Sequence, residues 1–386
     1  MAASKGPLDG LVVLDLSRIL AGPTCTQLLG DLGATVWKVE APEKGDDTRG
    51  WGPPYAGDPS DKRSAYYVAA NRNKLSITID LSTEEGQSQV RQLTARADVV
   101  IENFKPGGLA KYGLDHDTLL AAHPQLVYCS ISGFGQTGPN RDKPGYDLMA
   151  QGYGGIMSLT GAPDGPPMKT GVGIADVMCG MYAATGILAA LRHRDQTGEG
   201  QHIDLALVDT QMAWLINEGT NYLTSGKVPD RRGNAHPNIV PYDVFATFDG
   251  HVIVAVGNDT QFARFCAALD LPPLDQDDRF ATNAARVTNR DALMPLIAPA
   301  LAALPAKEVI ARLEAAKVPV GPIHTVAQAL STDQAKARGA VIETGGLGLL
   351  GNPLNFSKTP VRYDRAPPLL GADTETVLNT LKSETD

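Results

Sequence analysis

The chain has 386 residues, of which 43% are hydrophobic and 20% are charged, a composition typical of globular proteins. This length allows one large domain or two smaller ones. The formal net charge of −9 argues against nucleic acid as a main partner, because chains that bind nucleic acid are usually basic.

The cysteines, the histidines and the first ten residues predict a cytoplasmic protein. The four cysteines form no C-x-x-C pair and the seven histidines stand at no metal-ligand spacing. We therefore expect neither a disulfide framework nor a metal site. The opening "MAASKGPLDG" lacks the apolar core of a signal peptide. No unbroken run of about 18 apolar residues occurs, so no membrane partner is predicted.

The first 150 residues alternate short apolar runs with helical patterns. Strands are predicted at 11–16, 35–40, 75–81, 98–104 and 126–135, and helices at 24–33 and 83–97. Strand and helix alternating at this spacing predict a parallel α/β sheet. Such sheets bind ligands at the carboxyl ends of their strands. The loops "SRILAGPT", "EAPEKGD" and "ENFKPGG" are therefore candidate site segments.

The second half of the chain differs from the first in its pattern of apolar and turn-forming residues. Residues 173–191, "GIADVMCGMYAATGILAAL", predict a long apolar helix, and 202–219 predict a strand that runs into another helix. A Pro- and Gly-rich segment then precedes a smaller domain at about 226–320. The segment "VPVGPIHTV" is interpreted as returning the chain to the first domain.

Known nucleotide motifs do not explain this sequence. "GFGQTG" at 133–138 matches G-x-G-x-x-G, but the two prolines in the following "PNRDKPGYD" prevent a helix from opening at its third glycine. Nicotinamide binding is therefore disfavoured. The chain contains neither a P-loop nor a G-x-S-x-G motif.

Asp176 is the one charged residue of the 173–191 segment. As a helix N-cap it would contribute about 1 kcal/mol. The same position would keep it ionised, and an ionised carboxylate in an apolar pocket can attack an acyl group. The local pattern favours the cap, because Asp is common at helix starts, and leaves the nucleophile open.

Basic residues near predicted strand ends suit a polyphosphate ligand. They are Arg72, Lys74, Lys105, Lys111, Arg141 and Lys143. A solvated charged face is the alternative. Asn103 and Phe104, beside Lys105, favour an adenine nucleotide. Loops often carry function, so His236, in the loop segment "GNAHPNIVPY", is a candidate site residue. An ordinary structural role is an equally good interpretation.

Several segments together resemble one family. They are "LVVLDLSRILAGPTCTQLLGDLGATVWKVEAP", "NRNKLSITIDL", "ENFKPGGLAKYGL", "SISGFGQTGP", "GYDLMAQGYGG" and "GVGIADVMCGMYA". In this order they resemble the class III coenzyme A transferases, the family of formyl-CoA and carnitine CoA transferases. The resemblance implies a Rossmann-like large α/β domain built from both chain ends, a smaller α/β domain, and an interlocked-ring homodimer. The implied parts are a large domain at 1–200, a linker at 201–225, a small domain at 226–320, and a return linker and remaining large domain at 321–386.

The resemblance also implies a mechanism and a set of binding residues. Asp176 would be the nucleophile, forming an aspartyl mixed anhydride and then an aspartyl-CoA thioester. CoA would be a substrate, with no tightly bound cofactor and no metal. The implied CoA contacts are Leu20, Ala21, Arg72, Lys74, Asn103, Phe104, Lys105, Lys111, Lys143 and Tyr146.

Departures from the family pattern bear on the substrate. Ala41 stands where formyl-CoA transferases have a basic residue, Leu20 stands where they have glutamine, and their four-glycine run is absent. These departures argue against formyl-CoA and oxalate. The related 2-methylacyl-CoA racemases have a histidine at the position of Tyr146, which is a poor base because its ordinary pKa is about 10. Racemase, acyl-CoA hydrolase and a non-catalytic CoA-binding protein remain as alternatives.

Two further segments resemble one branch of that family. "GNAHPNIVPYDVF" and "TNAARVTNRDAL" are similar to the branch that includes succinyl-CoA:glutarate CoA transferase. This branch implies succinyl-CoA as donor and a small dicarboxylic acid as acceptor. The acceptor's second carboxylate would need a cation or donor. Arg72, Lys169 and His236 are the candidates.

Overall fold

The computed structural model describes residues 5–61 and 63–382. These residues form two compact units. The large unit comprises the described residues of Met1–Met157, Lys169–Lys227 and Gln334–Asp386. The small unit comprises Ser158–Met168 and Val228–Asp333. Both ends of the chain therefore contribute to the large unit.

Strands in the described residues fall into three sheets. In chain order they are β1 (Val12–Asp15), β2 (Thr35–Glu40), β3 (Lys74–Thr78), β4 (Val99–Glu102), β5 (Val127–Ser132), β6 (Gln201–Ala206), β7 (Tyr242–Thr247), β8 (Gly250–Ala255), β9 (Val320–Pro322), β10 (Val341–Thr344) and β11 (Leu347–Leu350).

Helices connect and cover these strands. In chain order they are α1 (Ala21–Asp31), α2 (Ala65–Ala69), α3 (Glu84–Thr94), α4 (His116–Ala122), α5 (Asp147–Tyr153), α6 (Ile156–Leu159), α7 (Ile174–Thr197), α8 (Leu207–Ala213), α9 (Ile216–Ser225), α10 (Asp259–Ala268), α11 (Asn283–Thr288), α12 (Arg290–Ala302), α13 (Ala306–Ala315), α14 (Val326–Ser331), α15 (Asp333–Ala337) and α16 (Thr374–Lys382).

The large unit is built on a six-stranded parallel sheet in the order β3-β2-β1-β4-β5-β6. The predicted parallel α/β sheet is thus confirmed. Strands β4 and β5 are buried along their whole length, as expected for a parallel sheet covered on both faces. The chain order reverses between β1 and β4. A ligand crevice is expected at this switch point, outside the carboxyl ends of the two strands.

Helices α1 and α7 pack closely on one face of this sheet. A Cβ at Gly180 would lie 2.5 Å from the carbonyl oxygen of Ala21, so glycine is what permits this approach. Helix α1 begins at Ala21, three residues before the predicted start. Pro23 lies in its first turn, where a proline needs no hydrogen-bond donor.

Helix α7 is also long and apolar enough to cross a membrane by length and composition, with a mean hydropathy of 1.7 over its best window. The bent pair α12 and α13 passes the same test as one span. This test tolerates charged residues, so it does not conflict with the lack of an unbroken apolar run, and the absence of a membrane partner stays a prediction. Half of the α7 window is buried inside the protein, and the core helix of any globular domain can pass this test.

The small unit holds the antiparallel sheet β7-β8-β9 and a separate core. Phe262, Phe265 and Phe280 are fully buried there. Arg286 is buried among them and donates to the carbonyl oxygens of Val240 and Phe280. This core gives the small unit its own hydrophobic interior.

Two predictions about chain organisation need correction. Residues 201–225 are not a linker, because they form β6, α8 and α9 of the large unit. The segment "VPVGPIHTV" does not return the chain, because β9 within it pairs with β8. The chain re-enters the large unit at Gln334. After that point β10 and β11 pair as an antiparallel hairpin.

Candidate active site

A cavity of about 560 Å³ opens at the carboxyl ends of β1, β4 and β5. The predicted site residues in its wall are Ala21, Asn103, Phe104, Lys105, Lys111, Lys143, Tyr146 and Asp176. A neighbouring cavity of about 370 Å³ extends over the carboxyl ends of β1, β2 and β3. Arg18, Phe104 and Tyr112 line both cavities. We call them the acyl cavity, which contains Asp176, and the side cavity.

The acyl cavity depends on a close approach of two glycines. A Cβ at Gly133 would lie 2.4 Å from the Cα of Gly145. This contact joins the loop after β5 to the "KPGYD" segment. It brings Lys143 and Tyr146 into the same wall as Ser132.

Asp176 occupies the third position of α7, and it does not cap that helix. The N-cap is Gly173, which has no side chain. The backbone N–H of Ala175, which has no partner within the first turn of the helix, instead donates to Oδ1 of Asp147 at 2.8 Å. Asp147 thus performs the capping that the sequence assigned to Asp176. Because 28 residues separate Asp147 from Ala175, no local pattern could have revealed it.

Burial and the nearby charge of Asp147 raise the pKa of Asp176 to about 7. The expectation that the helix N-terminus keeps this carboxylate ionised is therefore wrong. Asp176 is 8% exposed, and no other described residue hydrogen-bonds its carboxylate. Desolvation, which disfavours the charged form, outweighs the helix dipole at this position. The group is poised between its two protonation states near neutral pH.

Aromatic side chains that the sequence did not single out lie near Asp176. Trp51 lines the acyl cavity and meets Tyr66 edge to face, with ring centroids 5.1 Å apart. Burial raises the pKa of Tyr66, and the negative charges of Asp176 and Asp147 raise it further. The electrostatic influence of Asp176 thus reaches the Tyr66 phenol. Trp51 lies in the Gly/Pro-rich segment after β2 and Tyr66 in α2, and neither position carries a sequence motif that marks a site.

Cations concentrate in the acyl cavity. Lys105, Lys111 and Lys143 line it with Arg18. Arg18 was not predicted, and its side chain is 60% exposed and paired with Asp47 at 2.7 Å. Four cations around one opening suit an anionic, phosphate-bearing ligand.

Asn103 lines the acyl cavity, but its amide is already engaged. Its Oδ1 accepts from the backbone N–H of Arg18 at 2.9 Å, and its Nδ2 donates to the Arg18 carbonyl at 2.7 Å. These paired bonds join the loops after β1 and β4 across the switch point. The expectation that this amide favours an adenine ligand is not supported by its bonding.

Arg72 and Lys74 lie outside both cavities, so the structure does not support their prediction as CoA contacts. Both stand where β3 begins, whereas the cavities open where strands end. Arg72 donates to both carboxylate oxygens of Asp31 at 2.8 and 2.6 Å. Lys74 is fully buried and donates to Asp15 at 3.3 Å, and burial lowers its pKa to about 8. The pairing of Arg72 also removes it as an anchor for an acceptor carboxylate.

Three other predicted residues lie outside the cavity walls of the large unit. Leu20 approaches Gly173, just before α7, while its neighbour Ala21 faces the acyl cavity. Lys169 is exposed. His236 belongs to the small unit, where its Nδ1 accepts from the backbone N–H of Asn238 at 3.1 Å. Within the described ranges no cluster of three or more potential metal ligands occurs.

Known proteins resemble this chain along nearly its whole length. The profile of CoA-transferase family III matches residues 8–374. The succinate–glutarate CoA-transferase of Agrobacterium fabrum is 48% identical over 390 residues, covering 99% of this chain and 98% of that protein. The acetyl-CoA:oxalate CoA-transferase of Acetobacter aceti is 41% identical, covering 95% and 94%. The crystal structure of a CAIB/BAIF family protein from Brucella suis is 50% identical with a TM-score of 0.89, covering 98% and 100%.

The raised pKa of Asp176 predicts that Asp176→Asn stabilises the protein. Between the ordinary value of 3.8 and about 7, the folded state binds the proton and the unfolded state does not. The free energy of unfolding therefore falls as pH rises through this range. We expect the Asn variant to be roughly 2–4 kcal/mol more stable at pH 8, with no difference below about pH 4.

Denaturant unfolding of both proteins at pH 4 and pH 8 measures this effect. Equal stabilities at pH 8, or a less stable variant, would contradict the raised pKa.

Proposed function

The chain belongs to CoA-transferase family III and is an enzyme of that type; from this premise we propose that it moves CoA from succinyl-CoA to a small dicarboxylic acid through a covalent intermediate on Asp176. The observation that carries the proposal is a buried carboxylate in the wall of a cation-lined cavity at the switch point of the sheet. A carboxylate can act as a nucleophile toward a thioester.

The proposed reaction proceeds by four exchanges at acyl carbons. The Asp176 carboxylate attacks the donor thioester carbonyl, the C–S bond breaks, and an aspartyl anhydride forms with release of CoA thiolate. The thiolate attacks the aspartyl carbonyl, which frees succinate and leaves an aspartyl-CoA thioester. The acceptor carboxylate attacks that thioester and releases thiolate again. The thiolate then attacks the acceptor's acyl carbon, which gives the new acyl-CoA and restores Asp176.

Burial of Asp176 supports this chemistry energetically. The same desolvation that raises its pKa to about 7 destabilises the free carboxylate. Acylation converts the carboxylate to a neutral group and removes that cost. A carboxylate of raised pKa is also the more basic nucleophile. The environment of Asp176 therefore favours formation of the covalent intermediate.

We assign CoA to the two adjoining cavities. Phe104 and Tyr112, in the wall common to both, offer aromatic faces for a base. Lys105, Lys111 and Lys143 offer charge for phosphates. The thioester end then lies in the acyl cavity with Asp176. The cation that holds the second carboxylate of the acceptor stays a prediction at Lys169 and His236.

The acceptor is proposed from the similarity to the glutarate branch. The differences at Leu20 and Ala41 argue against oxalate, but the name of the 41% identical relative includes oxalate. Oxalate therefore belongs in any acceptor panel. A cytoplasmic location also stays a prediction.

We propose further that the enzyme is a homodimer, with the interlocked rings implied by the resemblance. Apolar side chains on α7 and α9 lie exposed, among them Met181, Tyr182, Ile216 and Leu223, of which Leu223 is 82% exposed. Extended apolar exposure of this kind marks association surfaces. We propose that a second copy of the chain packs against this apolar surface.

Transfer assays with succinyl-CoA test the activity. Glutarate, malate, itaconate, mesaconate and oxalate are offered separately, and new acyl-CoA is followed by chromatography. We expect transfer to at least one dicarboxylate and a loss of about 10⁴-fold or more in Asp176→Asn, as for removal of other covalent nucleophiles.

The matched control is Asp195→Asn at the far end of the same helix, where the side chain is exposed, and we expect it to keep wild-type activity. Transfer by Asp176→Asn at the wild-type rate would refute the mechanism. Exchange of the α-proton of a 2-methylacyl-CoA without transfer would favour a racemase.

Asp147→Asn tests the electrostatic coupling at the site. The amide oxygen can still accept from Ala175, but the negative charge that raises the pKa of Asp176 is lost. In the wild type, kcat/KM should rise with pH through about 7 as Asp176 ionises. In the variant this rise should move to lower pH. A pH profile that is unmoved, or moved upward, would contradict the coupling.

Light scattering coupled to size exclusion tests the dimer. We expect a mass twice the 40.8 kDa of one chain. A mass of one chain throughout the micromolar range would contradict it.

A further inference from the structure

The loop between β1 and α1 contains an unusual backbone conformation. Ile19 has φ of +73°, in the left-handed region that β-branched residues rarely adopt. Ile19 lines the acyl cavity, and its neighbour Arg18 lines both cavities. Some other group must therefore hold this loop in its shape.

Asp46, in the loop after β2, provides that hold. The backbone N–H of Ile19 donates to both carboxylate oxygens of Asp46, each at 3.2 Å. The same carboxylate accepts from the backbone N–H of Thr48 at 3.0 Å. Asp46 is 3% exposed, so water competes little for these bonds.

Lys38 fixes the same loop at a second point. Its fully buried Nζ donates to Asp46 at 2.9 Å and to the carbonyl oxygen of Ser17 at 3.0 Å. Although burial opposes it, the charge of Lys38 lowers the pKa of Asp46. The backbone N–H of Asp46 donates to Glu40 at 2.9 Å. Asp46 is thus ionised and is itself anchored on β2.

We propose that Asp46 is a positioning residue for CoA binding. Lys38 and Glu40 hold Asp46 in place, and its carboxylate keeps the backbone of Ile19 at positive φ. Residues 17–21 thereby keep the shape that admits CoA. This inference rests on the proposed assignment of CoA to the acyl and side cavities. Asp46 itself lies in the wall of the side cavity, and the role proposed for it is the hold on the loop, which the Ile19 variants below separate from a direct contact with CoA.

The size of the effect follows from the backbone preference. Without the carboxylate, Ile19 is free to return to negative φ, and the binding-competent loop becomes a minor state. The expected decrease in its population is about 5- to 30-fold, equivalent to roughly 1–2 kcal/mol. Since CoA selects the competent state, apparent affinity falls by that factor while the rate at saturation changes little.

Two variants test the proposal. Asp46→Asn removes the charge and one acceptor oxygen. Asp46→Glu keeps the charge for Lys38 but moves the oxygens away from Ile19, and it is the variant expected to fold most readily. For both we expect KM for succinyl-CoA and the calorimetric Kd for CoA to rise about 5- to 30-fold. We expect kcat to stay within about twofold, since saturating CoA restores the loop.

Asp31→Asn is the matched control. Asp31 is another buried, ion-paired carboxylate, bound to Arg72, and it lies outside both cavities. Its loss should lower the melting temperature and the active fraction while KM stays unchanged. If the Asp46 variants behave in the same way, with unchanged KM and Kd, Asp46 has only a structural role and the proposal fails.

Rescue at Ile19 separates positioning from general damage. Glycine adopts positive φ without strain. In the Ile19→Gly background, Asp46→Glu should therefore raise the Kd for CoA several-fold less than it does in the wild-type background. Additive losses in this cycle would overturn the proposal.

Lys143→Ala tests the cavity assignment separately. If wild-type protein binds CoA and Lys143→Ala leaves its Kd unchanged, the assignment of CoA to these cavities fails, whatever the Asp46 variants do.

Discussion

Two buried carboxylates and one side-chain amide hold the β1–α1 loop, and the site depends on this constraint. Asp15 accepts from the backbone N–H of Ser17, Asn103 bonds both backbone groups of Arg18, and Asp46 accepts from Ile19. The loop therefore has no freedom to relax. It delivers Ala21 to the start of α1, where the Ala21 carbonyl meets Gly180 of α7. This contact links the loop to the beginning of α7, which carries Asp176.

Asp176 shows how stability and activity oppose each other at this site. A carboxylate that is buried without a hydrogen-bond donor among the described residues costs folding free energy. The same burial raises the pKa of Asp176 and gives the more basic carboxylate that the proposed acyl transfer would use. The helix N-terminus, which could have stabilised the charge, is instead satisfied by Asp147. The fold thus places a costly group where the proposed chemistry uses it.

The sequence predicted the strands and the loops of the site well, for a physical reason. Fully buried parallel strands are continuous apolar runs, and polar loops at their carboxyl ends converge. What failed depended on contacts distant in sequence. Arg72 and Lys74 lie at the amino end of β3, away from the edge where the cavities open, and their partners Asp31 and Asp15 are distant in sequence. The capping role of Asp147 and the engaged amide of Asn103 arise only when separate loops meet. The roles of Arg18 and Asp46 were missed for the same reason.

Chemical trapping on Asp176 tests the central claim most directly. The enzyme is incubated with succinyl-CoA and no acceptor, quenched with hydroxylamine or borohydride, digested, and analysed by peptide mass spectrometry. The account predicts a hydroxamate or a reduced side chain at Asp176, dependent on succinyl-CoA and absent from Asp176→Asn. An unmodified Asp176 peptide in enzyme that turns over, or a label on another residue, would contradict it.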